Sequence, residues 1–106
     1  MSEINEIRIS QSVQVSTSPY TVFSVPGPYI ARIERLSITN ASGTSALIQL
    51  FMLNGTATAP ILTLEAPAGS TTIYREDQVP REAIPSGISI TTNATPIYVD
   101  YTVVLE

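Results

Sequence analysis

The side chains able to move protons in this 106-residue chain are few, and they sit far apart along it. Away from the N-terminus the carboxylates are Glu34, Glu65, Glu76, Asp77, Glu82, Asp100 and the terminal Glu106. Ser and Thr are plentiful, so hydroxyl nucleophiles are available. The chain has no His and no Lys to act on them as a general base, which removes the common triad and the Ser–Lys arrangement. A glycosidase needs two carboxylates facing one another across a cleft, and only Glu76-Asp77 lie close in sequence. Cys is absent, which removes thiol nucleophiles, thiolate zinc sites and disulfides. The expectation is a protein that is not an enzyme and holds no cofactor or metal.

The densest charge lies in Arg75-Glu76-Asp77 followed by Arg81-Glu82. Calcium takes about six or more oxygens from a Gly-spaced carboxylate loop, and that pattern is missing. Two readings of this knot stay open: a solvated loop of mutual, weakly stabilising ion pairs, or a loop that docks a partner. A stacking platform would need grouped aromatics, but the five Tyr are scattered. Tyr98 and Val104 fall on one parity of the last strand, opposite Tyr101 and its apolar neighbours. Apolar groups on both faces of that strand suit a subunit contact. The candidate partner-docking residues are therefore Arg75, Glu76, Asp77, Arg81, Glu82, Tyr98 and Val104. Asn40, Asn54 and Asn93 each open an N-x-S/T triplet. Turn chemistry accounts for these better than glycosylation does.

Net charge is −4 and all five basic residues are dispersed arginines, which argues against a surface that tracks nucleic-acid phosphates. Only 13% of residues are charged while 43% are hydrophobic, a balance that favours completion of the surface by another protein. The opening MSEINEIRIS has no apolar core of the kind a signal peptide carries, and no apolar run reaches the ~20 residues of a membrane helix. The absence of Cys fits a reducing compartment.

The elements that would have to position these side chains read as strands. In Ile97–Leu105 every odd position is apolar or aromatic: Ile97, Val99, Tyr101, Val103 and Leu105. Ile7–Val15 repeats the alternation, with a break expected near Gln11. Thr21–Val25 is a short strand stopped by Pro26-Gly27-Pro28. Tyr29–Asn40 is compatible with a helical turn in its first half, but continued alternation and the lack of a cap favour a strand. Ala46–Leu53, the most hydrophobic run, reads as a central strand covered on both faces. Asn54-Gly55 predicts a type I′ hairpin, and Pro60 puts an edge strand or a loop on its return leg. Ser70–Arg75 is a further strand, Glu76–Gly87 a long connection, and Ile88–Thr92 with the terminal strand a closing hairpin. Residues 1–6 form a loose polar arm and 7–106 one domain. The fold class is all-β, an antiparallel β-sandwich or jelly roll of about seven or eight strands.

Taken together, three segments resemble small β-sandwich virion proteins of tailed bacteriophages: ARIERLSITNASGTSALIQLFMLNGTATAPI, LEAPAGSTTIYRE, and ISITTNATPIYVDYTVVLE behind Pro85-Ser86-Gly87. The resemblance lies in the order of strands and turns. It implies no catalysis, a symmetric homo-oligomer with a trimer favoured, and a partner that is the major capsid protein or another virion subunit. It also implies location in the virion after assembly in the host cytoplasm, with no role for nucleic acid or membrane. It supplies no residue-level site. Within that class the leading expectation is a decoration or cement protein that stabilises a phage head across capsid subunits. A head–tail or tail component, or a small carbohydrate-binding module, is the alternative. In such a role the stretch Met1–Ile9 could add a strand to a neighbour's sheet edge.

Overall fold

Period-2 alternation in Ile97–Leu105 buries one complete face. Ile97, Val99, Tyr101, Val103 and Leu105 are all at most 3% exposed. This strand, β8, pairs along its whole length with β1 (Ile7–Val15) on one side and β3 (Ala31–Asn40) on the other, both antiparallel. The computed structural model describes residues 6–79 and 83–106, and of Glu76 the backbone only. Among the described residues the remaining strands are β2 (Tyr20–Ser24), β4 (Ala46–Asn54), β5 (Ala57–Ala66), β6 (Thr71–Arg75) and β7 (Gly87–Thr92). A single 3-10 turn, Glu76–Gln78, follows β6.

The strands form two four-stranded antiparallel sheets, ordered β1-β8-β3-β6 and β2-β7-β4-β5. Every connection crosses from one sheet to the other except the β4–β5 hairpin, and this is the winding of a jelly roll. The core lies between the sheets. Ile33 and Ile38 join the β8 row from the first sheet, while Ile48, Leu50, Ile88 and Ile90 face them from the second. Each such side chain contributes roughly 1.5–3 kcal/mol by leaving water.

Several sequence expectations are corrected. Strand β1 is unbroken at Gln11, which pairs with Tyr101 and keeps the register. Tyr29–Asn40 holds no helical turn. Its apolar phase slips between Ile33 and Leu36 because β3 carries a bulge against β8 between Ile33 and Arg35. Strand β4 is central but not covered on both faces: Ile48 and Leu50 are fully buried while Leu47 is 46% exposed. The hairpin at Asn54 closes on Ala57, so its two loop residues are Gly55 and Thr56. Gly55 has φ +62° and no non-glycine residue described has positive φ. Positive φ at the first loop position alone is the pattern of a type II′ turn rather than type I′. β5 is the edge strand that Pro60 suggested, with its own bulge against β4. Finally, β7 and β8 form no hairpin. They lie in different sheets, and Asn93–Pro96 carries the chain between them.

The corner between β3 and β4 is fixed by a buried polar knot. Asn40, with no solvent exposure, donates from Nδ2 to the carbonyl oxygens of Thr44, Ala66 and Pro67 at 2.8, 2.9 and 3.2 Å. Its Oδ1 accepts from the backbone N–H and the hydroxyl of Ser42 at 3.0 and 2.6 Å. One amide thus ties the β3–β4 and β5–β6 turns together. A side chain so enclosed offers no room for a glycan at that triplet.

Candidate functional site

The face of the first sheet that points away from the core gathers most of the polar chemistry. Alternation places Arg8, Ser10, Ser12 and Gln14 of β1 there, beside Val104, Thr102, Asp100 and Tyr98 of β8. The bulge in β3 brings Arg35 onto the same face opposite Thr102, and Ser37 and Thr39 follow. Strand β6 completes it with Thr71, Ile73 and Arg75. Cross-strand contacts lace this face. Ser10 and Thr102 hydroxyls lie 2.8 Å apart, Thr39 and Thr71 hydroxyls 2.9 Å, and the Ser12 hydroxyl donates to the Asp100 carboxylate. Arg8 donates through Nε to Glu34 at 3.0 Å, and Arg32 holds Glu106 at 3.1 Å. Exposed pairs of this kind stabilise by about 0–1 kcal/mol each.

Two shallow depressions share Arg35. One, of about 330 Å³, is lined by residues including Ser10, Ser12, Asp100 and Thr102. The other, of about 370 Å³, is lined by Glu34, Arg35, Ile73 and Arg75. Ser12 and Asp100 form the nearest thing to a nucleophile with a base, but both stand on an open sheet face. Among the described residues nothing there encloses a substrate, excludes water or offers a pair of N–H donors to an oxyanion. Among the described residues no group of three acidic, His or Cys side chains is placed to hold a metal ion. Among the described residues, two tyrosines titrate away from their ordinary values. Burial pushes up the phenol of Tyr74, and burial followed by the neighbouring Tyr20 pushes up that of Tyr101.

Among the described residues, Arg75, Asp77, Tyr98 and Val104 do not converge on one spot. Arg75 is exposed on the outer face, directly opposite Arg35. Asp77 is exposed in the 3-10 turn beyond it. The Glu76 side chain, Arg81 and Glu82 lie outside the described residues. Tyr98 is 42% exposed on the same face. It lies four positions along β8 from Thr102, the residue level with Arg75, so the two are separated by more than about 13 Å along the strands. Val104 is fully buried, although it points away from the core. Its cross-strand neighbours are the long side chains of Arg8 and Arg32, held by Glu34 and Glu106. Alternation cannot report burial on this face, because the flanking side chains come from two other strands. Arg35 and Ile73 were not singled out by sequence. The signal for Arg35 was present in the phase slip of ARIERL, where an extra residue had to leave the alternation.

No family model matches the chain, and neither does any curated protein sequence. Solved structures do match. The pilus protein of Bacillus endospore appendages, a family of disulfide-linked pili, superposes with a TM-score of 0.59 at 11% identity, over 95% of this chain and 84% of that one. The virus-like particle of the extra small virus of the prawn Macrobrachium rosenbergii gives a TM-score of 0.42 at 16% identity, over 99% and 82% of the two chains. The Gx strain of infectious bursal disease virus gives 0.46 at 12% identity, over 95% of this chain and 31% of that one. At these identities the likeness is one of fold. It is carried by the endospore-appendage protein, since both viral superpositions are loose.

Proposed function

We propose that the chain is a structural, non-catalytic subunit of a repeating protein assembly, and in finer terms a virion protein that decorates or cements a phage capsid. The observation that supports this most is the fold shared with the endospore-appendage pilus protein over 95% of the chain, a sandwich built into a polymer of repeated subunits. The surface agrees with that role. Polar groups satisfy one another across strands instead of converging on a cleft, and Ile73 and Leu47 stand 49% and 46% exposed on opposite sheets. The subunit would act by burying such apolar surface against the major capsid protein or a second copy, with strand addition at an open sheet edge fixing register. Covalent linkage of the disulfide type is unavailable to a chain without Cys.

A second reading, favoured by the pilus match itself, is a filament subunit. Light scattering across a dilution series, with electron microscopy of the same samples, separates the two. A concentration-stable closed oligomer that co-sediments with capsids supports the virion reading. Mass that grows without limit and visible fibres favour the filament. A monomer at every concentration that co-sediments with no capsid overturns both.

A further inference from the structure

Strand β6 is an edge of the first sheet, bonded to β3 on one side and to no described strand on the other. Open edges are commonly blunted by Pro, bulges or Lys. Strand β5 has Pro60 and a bulge, and β2 has a register shift against β7. Strand β6 has neither, and its outward face carries Thr71, Ile73 and Arg75 in regular register with β3. Arg75 lies directly opposite Arg35. Like charges so placed repel, and the nearby carboxylate of Glu34 is taken by Arg8 at 3.0 Å. Neither Arg35 nor Arg75 is in an ion pair among the described residues. The depression of about 370 Å³ between them is floored by the exposed Ile73.

The backbone edge of β6, with the Arg75 N–H donating to Gln78 Oε1 at 3.0 Å, lies beside two guanidiniums that have no ion pair among the described residues and beside an exposed isoleucine, and it calls for an extended segment. That segment needs a carboxylate two positions from an apolar side chain. Ser2-Glu3-Ile4-Asn5-Glu6 has this spacing and lies outside the described strands of the sandwich. We propose that residues 2–6 of a second copy add as a parallel strand to the β6 edge. Glu6 then lies opposite Arg75 and within reach of Arg35, Ile4 opposite Ile73, and Ser2 opposite Thr71. Acid meets base, apolar meets apolar and hydroxyl meets hydroxyl on one face. The donor must be another molecule. Glu6 leads directly into β1, which lies three strand spacings from β6, at least about 14 Å, whereas one residue advances the chain by about 3.8 Å. On leaving Arg8, now 3.5 Å away, Glu6 does not strand that guanidinium, because Glu34 remains its nearer partner. The contact is head-to-tail, and its repetition yields a ring or an open fibre. This inference rests on the subunit reading above and names the contact that reading requires.

The absence of Cys makes the test direct. Ile4→Cys and Ile73→Cys are prepared as separate full-length chains, mixed and mildly oxidised. Adjacent strands put their Cα atoms within disulfide reach. The mixture is expected to give a cross-linked heterodimer that Ile4→Cys mixed with Leu47→Cys does not. Adding Arg75→Glu to the Ile73→Cys chain is expected to abolish that cross-link without changing its thermal melt. Adding Glu6→Arg to the Ile4→Cys chain is then expected to restore it. Equal cross-linking to the Leu47→Cys control overturns the proposed register. A wild-type chain that assembles while Arg75→Glu assembles equally well, with no Ile4–Ile73 cross-link, overturns the inference and leaves the subunit reading standing. A wild-type chain that stays monomeric at every concentration and co-sediments with no capsid, with no cross-link between the Ile4→Cys and Ile73→Cys chains, ends both.

Discussion

The hydroxyl of Tyr101, on β8, reaches across the sandwich to the carbonyl oxygen of Val22, on β2, at 3.0 Å. This hydrogen bond joins the two sheets. The same phenol lies 2.6 Å from Gln11 Oε1, and its ring meets Phe23 edge-on at 5.7 Å. A phenol has one proton to donate. Both contacts are satisfied together when the Gln11 amide turns its N–H₂ toward the phenol oxygen.

Tyr101→Phe keeps the packing but leaves the Val22 carbonyl without this donor, and it is expected to cost about 1–2 kcal/mol in chemical denaturation. Its effect on pH dependence has a definite sign. The folded-state phenol titrates above the unfolded value of about 10, chiefly through burial. Its contribution is therefore complete below about pH 10 and is lost as pH rises through the folded-state value. Denaturation midpoints of the wild type should fall in that alkaline range. Tyr101→Phe should fall less steeply, with the part due to Tyr74 remaining. Identical alkaline slopes for the two proteins would contradict this assignment.

Asn40 should tolerate neither truncation nor charge. Asn40→Ala leaves three carbonyls and the Ser42 donors without their shared partner, in a site with no solvent exposure. A loss of roughly 2–4 kcal/mol is expected, since an orphaned buried group costs about 1–3 kcal/mol. Asn40→Asp removes the donor and, once ionised, aims a negative charge at carbonyl oxygens. Its stability should therefore be best at acid pH and decline as the carboxyl ionises, a trend visible in thermal melts between mildly acid and neutral buffer.

Two glycines separate close approach from simple turn composition. A Cβ built on Gly87 would stand 2.4 Å from the backbone oxygen of Phe23, where β7 meets β2. Gly87→Ala must push those strands apart, at a cost of about 1–3 kcal/mol. A Cβ on Gly43 meets nothing within 4 Å, so Gly43→Ala is expected to stay within about 0.5 kcal/mol of wild type. Paired urea titrations decide it, and equal midpoints for the two variants would refute the proposed crowding at Gly87.

Leu50→Ala probes the core between the sheets. Leu50 has no exposure and faces the β8 row, so truncation leaves a cavity that a sandwich of fixed spacing closes poorly. A loss of about 2–5 kcal/mol is expected. Leu47→Ala, three positions away on the exposed face, should lose less than about 1 kcal/mol. Because that side chain is also a candidate for burial between subunits, native mass should be measured on the same variant.

The sequence alone determined the strands and the inward face of most of them. Alternation is a local property, set by the two-residue repeat of an extended backbone, and it placed Val99, Tyr101 and Val103 inside without any knowledge of what they meet. Turn residues are local as well: Asn54-Gly55 located the hairpin, although the type II′ geometry depended on which pair of residues closed it. What only the tertiary structure decided is pairing. Which sheet a strand joins depends on partners far away in the chain, so β7 and β8, adjacent in sequence, part into opposite sheets. Cover from other strands is equally non-local, and so Val104 is buried between its cross-strand neighbours Arg8 and Arg32 while Leu47 is left exposed. The opposition of Arg35 and Arg75 is of this second kind. It depends on a bulge that shifts β3 by one residue and on a register that brings β6 beside it, and no single strand records either.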